Sequence, residues 1–137
     1  MTHPVSLLLG VHAHQPVGNF SSVLEEAHER CYRPFLRTLH RYPQFRFAAH
    51  FSGWLLDWLL AQHPQDMALL KEMVARGQVE LFGAGDCEPV LASIPQRDRI
   101  GQINVLTDKL QRRFGARVEG AWLTERVYIP TVVPALA

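Results

Sequence analysis

Val5-Ser6-Leu7-Leu8-Leu9-Gly10-Val11 runs without a break into His12-Ala13-His14-Gln15-Pro16. An apolar run of strand length reads as a strand buried on both faces, as the strands of a parallel sheet are. Side chains alternate across a strand, so His12 and His14 fall on one face at its end, within reach of one site. The pattern then recurs. Phe45-Arg46-Phe47-Ala48-Ala49-His50-Phe51 is an apolar stretch that ends at a histidine before Ser52-Gly53. Val79-Glu80-Leu81-Phe82-Gly83-Ala84-Gly85 leads into Asp86-Cys87-Glu88-Pro89-Val90-Leu91, and Glu119-Gly120-Ala121-Trp122-Leu123 leads into Thr124-Glu125-Arg126.

Helical periods fill the gaps. Asn19 to Ser22 offer caps, with Glu25 three residues after Ser22 as in a capping box. Val23, Leu24, Ala27, Cys31, Phe35 and Leu39 recur at helical spacing, which places Cys31 in the core, and Pro34 should kink or divide the helix. Tyr32 and Arg33 read as solvated surface. Trp54 and Trp58 stand four apart on the next helix and share a face that reads as core. A further helix spans about Pro64 to Arg76 and is stopped by Gly77. Pro95 to Phe114 is amphipathic, with Ile100, Ile103, Leu106 and Leu110 inward and Gly115 at its end, and Pro130 opens another helix. The chain thus reads as four strand-plus-helix units, the last one broken off. Such units imply a parallel sheet with right-handed crossovers.

Composition supports one globular domain over residues 1–137. The chain is 47% hydrophobic and 20% charged with a net charge of +1, and its Lys and Arg are scattered. Nothing in it points to a nucleic-acid or membrane partner. Two cysteines make no disulfide framework, and the start Met1-Thr2-His3-Pro4 lacks a charged region before an apolar one. A reduced, cytoplasmic protein is the simpler expectation. No internal repeat or low-complexity linker divides the chain.

His12, His14, His50, Glu88 and Glu125 all fall at or just past strand C-termini, the edge where α/β sheets do their chemistry. Glu125 has a bland reading, an ion pair with a neighbouring Arg in a helix N-terminal turn. Cys87 lacks a paired base in its neighbourhood and makes a poor nucleophile. Two chemistries suit the edge. His12, His14 and His50 with a carboxylate could ligate zinc and activate water, as in metal-dependent amidohydrolases. Alternatively two carboxylic groups flank a glycosidic bond, with histidines and aromatic rings holding the sugar.

The motifs, taken in order, favour the second. Val11 to Phe20, with His14-Gln15-Pro16 at its centre, resembles the first signature of glycoside hydrolase family 57. His50-Phe51-Ser52-Gly53 resembles its second-strand segment, Glu88 to Pro95 its second signature, and Trp122 to Pro130 its third. The wording is most similar to the 4-α-glucanotransferase and α-amylase branch, and the match covers essentially the whole chain. The resemblance implies an α/β fold, an incomplete seven-stranded (β/α) barrel of which about the first four βα units are present. It implies retaining cleavage or transfer of α-1,4-glucosidic bonds in an α-glucan or maltooligosaccharide, with neither metal nor other cofactor. Glu125 matches the catalytic nucleophile; His14 and Glu88 match residues that hold the sugar beside the cleaved bond; His12, His50 and Trp122 would line the same pocket. Asp86 and Cys87 depart from the pattern, standing where the glucanotransferases carry aromatic residues, and Tyr128 and Ile129 stand where Trp and Gln are usual. The general acid/base of the family is an Asp on a later strand, beyond residue 137. The expectation is therefore an isolated chain that is inactive and poorly stable, or else a glucan-binding remnant.

Overall fold

The computed structural model describes residues 4–136. Its centre is a parallel sheet of β1 (Gly10–Ala13), β2 (Phe47–Phe51) and β3 (Val79–Leu81) in that order. His12 stands opposite His50 in the register, and Ala49 opposite Leu81. Helix α1 (Ser21–Ala27) passes through a π-helical segment, His28–Tyr32, into α2 (Arg33–His40). Then come α3 (Gly53–Gln62) and α4 (Pro64–Ala75) between β2 and β3. After β3 the chain makes a 3-10 turn at Leu91–Ser93 and then α5 (Gln96–Phe114). It closes with 3-10 turns Thr124–Arg126 and Pro130–Val132 and the short α6 (Val133–Leu136).

The core lies between the sheet and α3, α4 and α5. Leu55, Leu56, Leu59, Leu70 and Leu106 are wholly buried there, and Trp54 and Trp58 pack half-buried at its margin. Burying a Leu side chain contributes about 1.5–3 kcal/mol each, so these helix faces dominate the stability of the chain. Helix α5 ends where Gly115 adopts a left-handed φ of 68°, which a Cβ would oppose.

Several sequence expectations need correction. The first strand forms later than its apolar run: Val5 and Leu8 are each 93% exposed, and the first sheet bond to this region runs from Ala48 N to Leu9 O. Leu7 and Leu8 instead line a hollow of about 710 Å³ at the N-terminal edge of the sheet, with Phe47 and Gln78. The capping box does not form, because Phe20 takes the N-cap position and Glu25 turns away to His63 at 3.1 Å. Cys31 is exposed rather than core. The π-helical segment adds a residue to the turn just before Pro34, so the buried positions shift to His28 and Leu36. Ile100 is 40% exposed while Leu106 and Leu110 are buried. The fourth strand is reduced to a single parallel bridge, Gly83 with Ala121, closed by Gly83 N to Gly120 O and Trp122 N to Gly83 O. A Cβ on Gly120 would strike the Phe82 ring, so glycine permits this close approach.

Candidate active site

The C-terminal ends of the strands carry the site. The register that pairs His12 with His50 sets their rings nearly parallel at 5.0 Å between centroids, and Trp122 stacks on His12 at 4.2 Å and lies 6.1 Å from His50. His12 Nδ1 and His50 Nδ1 are 2.8 Å apart and share a hydrogen bond. His50 is fully buried, and burial first, then the neighbouring His12 and His14, push its pKa down to about 3. It is therefore neutral, and a proton on its Nδ1 can be donated to His12. His50 Nε2 has no partner among the described residues and is then the acceptor nitrogen, which leaves no buried N–H unpaired.

Glu88 sits under this stack with a side chain only 5% exposed. Its Oε2 meets His14 Nδ1, and its Oε1 lies 3.3 Å from His50 Nδ1 and 3.6 Å from His12 Nε2. Burial raises the Glu88 pKa, contact with His14 opposes the rise, and the charge of Glu125 adds to it. The loop that carries Glu88 is fastened from three sides. Gly53 N donates to Asp86 O at 2.9 Å, so closely that a Cβ on Gly53 would collide with the Asp86 carboxylate. Lys109 Nζ reaches Asp86 Oδ1 at 2.8 Å, Asp57 at 2.7 Å and Gly53 O at 3.1 Å. Gln102 accepts from Cys87 N at 2.9 Å through its side chain and from Asp86 N at 3.1 Å through its carbonyl. The first loop is held likewise: Tyr32, delivered by the π-helical segment, accepts from Gln15 Nε2 at 3.1 Å, and Gln15 accepts from Asn19 at 2.9 Å.

Glu125 joins Glu88, His12, His14 and Trp122 around a pocket of about 490 Å³. Its backbone is unusual. Among the described residues the non-glycines with positive φ are Glu88 at 51°, Glu125 at 55° and Arg126 at 58°. Left-handed backbone costs a non-glycine residue roughly 1–3 kcal/mol, and such strain clusters at functional sites. The alternative reading of Glu125, an ion pair with an arginine, is not formed among the described residues. Arg126 lines the pocket, as do Val90 and Thr124, none of which the sequence reading put in the site. Cys87 is exposed, and its backbone N–H donates to Gln102 Oε1.

The zinc alternative fits less well. Donor atoms of His12, His50 and Glu88 do lie within 4.8 Å of one another. Two nitrogens of a tetrahedral zinc, each about 2.0–2.1 Å from the metal, stand roughly 3.4 Å apart. The 2.8 Å between His12 and His50 is instead a direct hydrogen bond. As folded, the histidines suit hydrogen bonding rather than ligation.

A parallel α/β sheet thus gathers two carboxylates, three histidines and an indole at its C-terminal edge. The glycosyl hydrolase family 57 model matches residues 8–137, and the chain belongs to that family. It is 49% identical over 132 residues to a 4-alpha-glucanotransferase of Thermococcus kodakarensis, covering 96% of this chain and 20% of that protein. It is 48% identical over 136 residues to an alpha-amylase of Pyrococcus furiosus, covering 99% and 21%. The crystal structure of a 4-alpha-glucanotransferase from Thermococcus litoralis superposes with a TM-score of 0.90 at 46% identity, over 94% of this chain and 20% of that one. The chain thus spans about a fifth of the length of these relatives.

Proposed function

We propose that this chain forms the nucleophile-bearing part of a retaining enzyme that cleaves or transfers α-1,4-glucosidic bonds in α-glucans and maltooligosaccharides. The carrying observation is that Glu125 and the buried Glu88 face one pocket beside a Trp122–His12 stack. On this reading Glu125 attacks the anomeric carbon, the glycosidic C–O bond breaks, and a glycosyl ester forms on Glu125. His14 and Glu88 bind hydroxyls of the sugar at the cleaved bond. Trp122 offers the flat apolar face that covers a pyranose ring. His12 and His50 hold Glu88 and the indole in place. Water or a second sugar then releases the ester, giving hydrolysis or transfer.

The proton for the leaving oxygen comes from outside residues 1–137. Glu88 is an unsuitable donor because His14 occupies one of its oxygens and the other two histidines crowd its second. A general acid contributes about 10²–10⁴-fold, so the chain by itself should turn glucan over poorly. The barrel reading belongs here too: an incomplete seven-stranded (β/α) barrel, of which these residues are about four βα units and the N-terminal portion of a single catalytic domain. The exposed Leu7 and Leu8, and a fourth strand held by one bridge, suit a sheet that further strands complete.

The test uses the full-length polypeptide and a slowly released fluoroglycoside of a maltooligosaccharide. The expected outcome is one glycosyl adduct on the peptide carrying Glu125, and loss of at least ~10⁴-fold in turnover for Glu125→Gln. An adduct on another residue, or turnover retained in the variant, would overturn the assignment.

A further inference from the structure

The pocket wall is made of two loops that follow different strands, and a residue outside both ties them together. Arg99 lies in the first turn of α5 and is 91% buried, being 9% exposed. Its Nε donates to Ile94 O at 2.9 Å and its Nη2 reaches Ala92 O at 3.4 Å, both on the segment that follows Glu88. Its Nη1 donates to Thr131 O at 2.8 Å and to Thr131 Oγ1 at 3.3 Å, on the segment that follows Glu125. The 3-10 turns Leu91–Ser93 and Pro130–Val132 pack against each other above it, with Leu91 and Val132 buried.

A cation is buried only where oriented acceptors offset its lost hydration. Here the acceptors are backbone carbonyls and a hydroxyl rather than a carboxylate, so the guanidinium serves as a cross-link between main chains. The planar fork with donors on three nitrogens reaches both loops at once; an ammonium on a flexible stem cannot hold the same directions. The left-handed backbones at Glu88 and Glu125 persist only where the surroundings over-determine them. We infer that Arg99 is a positioning residue that clamps the Glu88 loop to the Glu125 loop and so sets the spacing of the two carboxylates across the pocket. Its catalytic consequence rests on the proposed reading of Glu125 as nucleophile.

The full-length polypeptide, as Arg99→Gln and Arg99→Lys beside the unaltered protein, tests this through maltoheptaose kinetics and backbone deuterium exchange. In Arg99→Gln, kcat falls at least tenfold while KM moves less than threefold, and exchange rises together in peptides covering 91–94 and 130–132 but not in α4. Arg99→Lys recovers part of both. The inference fails if kcat stays within twofold, if only one loop loosens, or if α4 loosens as well, which would signal general destabilisation. If the unaltered protein shows no glucan turnover, the functional reading fails, and the exchange experiment alone decides whether the clamp exists.

Discussion

Two clusters in this chain use nearly the same residues to opposite ends. Between α1, α2 and α4, His28 and His63 stack 3.6 Å apart beside Asp66, and their donor atoms lie within 4.8 Å. At the strand edge, His12 and His50 stack beside Glu88 with their donor atoms equally close. Both carboxylates are buried, with side chains 4% and 5% exposed. The difference is in the cations. Asp66 accepts from Arg37 at 2.8 Å, Arg33 at 3.2 Å and His28 at 3.0 Å. Burial pushes its pKa up, but the bonds from Arg37, His28 and Arg33 outweigh that and hold it below the ordinary value. Glu88 has histidines and a second carboxylate instead, and its pKa is raised. One cluster pairs its carboxylate with two guanidiniums and closes the helices on each other; the other sets its carboxylate among histidines and opens on a pocket. A perturbed carboxylate beside open space is a candidate for function, whereas an ion-pair network perturbs its carboxylate for structural reasons.

Substitutions that neutralise each carboxylate would break or sharpen this contrast. Glu88→Gln in the full-length polypeptide should lower kcat/KM on maltooligosaccharides roughly 10²–10³-fold, as loss of a transition-state hydrogen bond does, with a Tm close to the parent value. A large drop in Tm with activity kept would reverse the roles assigned here. Asp66→Asn should do the opposite, taking the buried carboxylate from Arg37 and from Arg33, which keeps Glu29 at 3.8 Å, and destabilising the fold by about 2–3 kcal/mol in denaturant unfolding. That is less than a fully buried pair, because Arg33 and Arg37 are 31% and 54% exposed.

Acid should expose the strand-edge histidines. His50 stays neutral in the fold down to about pH 3, whereas in the unfolded chain it takes up its proton near 6.5. Its contribution is complete above pH 6.5 and is lost on the way down to about 3, by about 1.4 kcal/mol per pH unit. His12 and His28, whose pKa values burial also lowers, act with the same sign. Glu88 acts oppositely, its share fading as pH rises through its raised pKa, so it blunts the trend near its own titration. Thermal melts from pH 7 to 4 should show Tm falling; a flat profile would mean that His50 takes up its proton at nearly the same pH in the fold as in the unfolded chain. Smallest is Arg37→Ala, expected to cost less than about 1 kcal/mol because the side chain is half in water, so a larger loss would mark Arg37 as more than one of two redundant partners.

Much of this site was legible because a strand advertises its end. Apolar runs stopping at His12 and His50 told which of these residues meet, since parallel strands in register bring their ends together, whereas Glu88 comes in on the loop after β3. His14 and Glu125 followed by the same rule. Cys31 was misread because a period of 3.6 assumes an unbroken α-helix, and the π-helical segment before Pro34 shifts the faces. Arg99 carries no signal in a one-dimensional pattern: it reads as a surface charge in the first turn of an amphipathic helix, and its acceptors are carbonyls, which every residue has.

The sequence by itself determined the α/β class, the parallel pairing and the family, through side-chain periodicity and ordered motifs that survive any small shift of boundary. Tertiary structure alone decided that Asp66 meets two guanidiniums and Glu88 histidines, that Glu88 and Glu125 share left-handed backbones, and that Arg99 spans two loops. Each of those depends on where charges and carbonyls from distant segments come to rest. Local patterning specifies which face a residue takes, whereas electrostatic pairing is settled by whatever the other segments bring within a few ångströms.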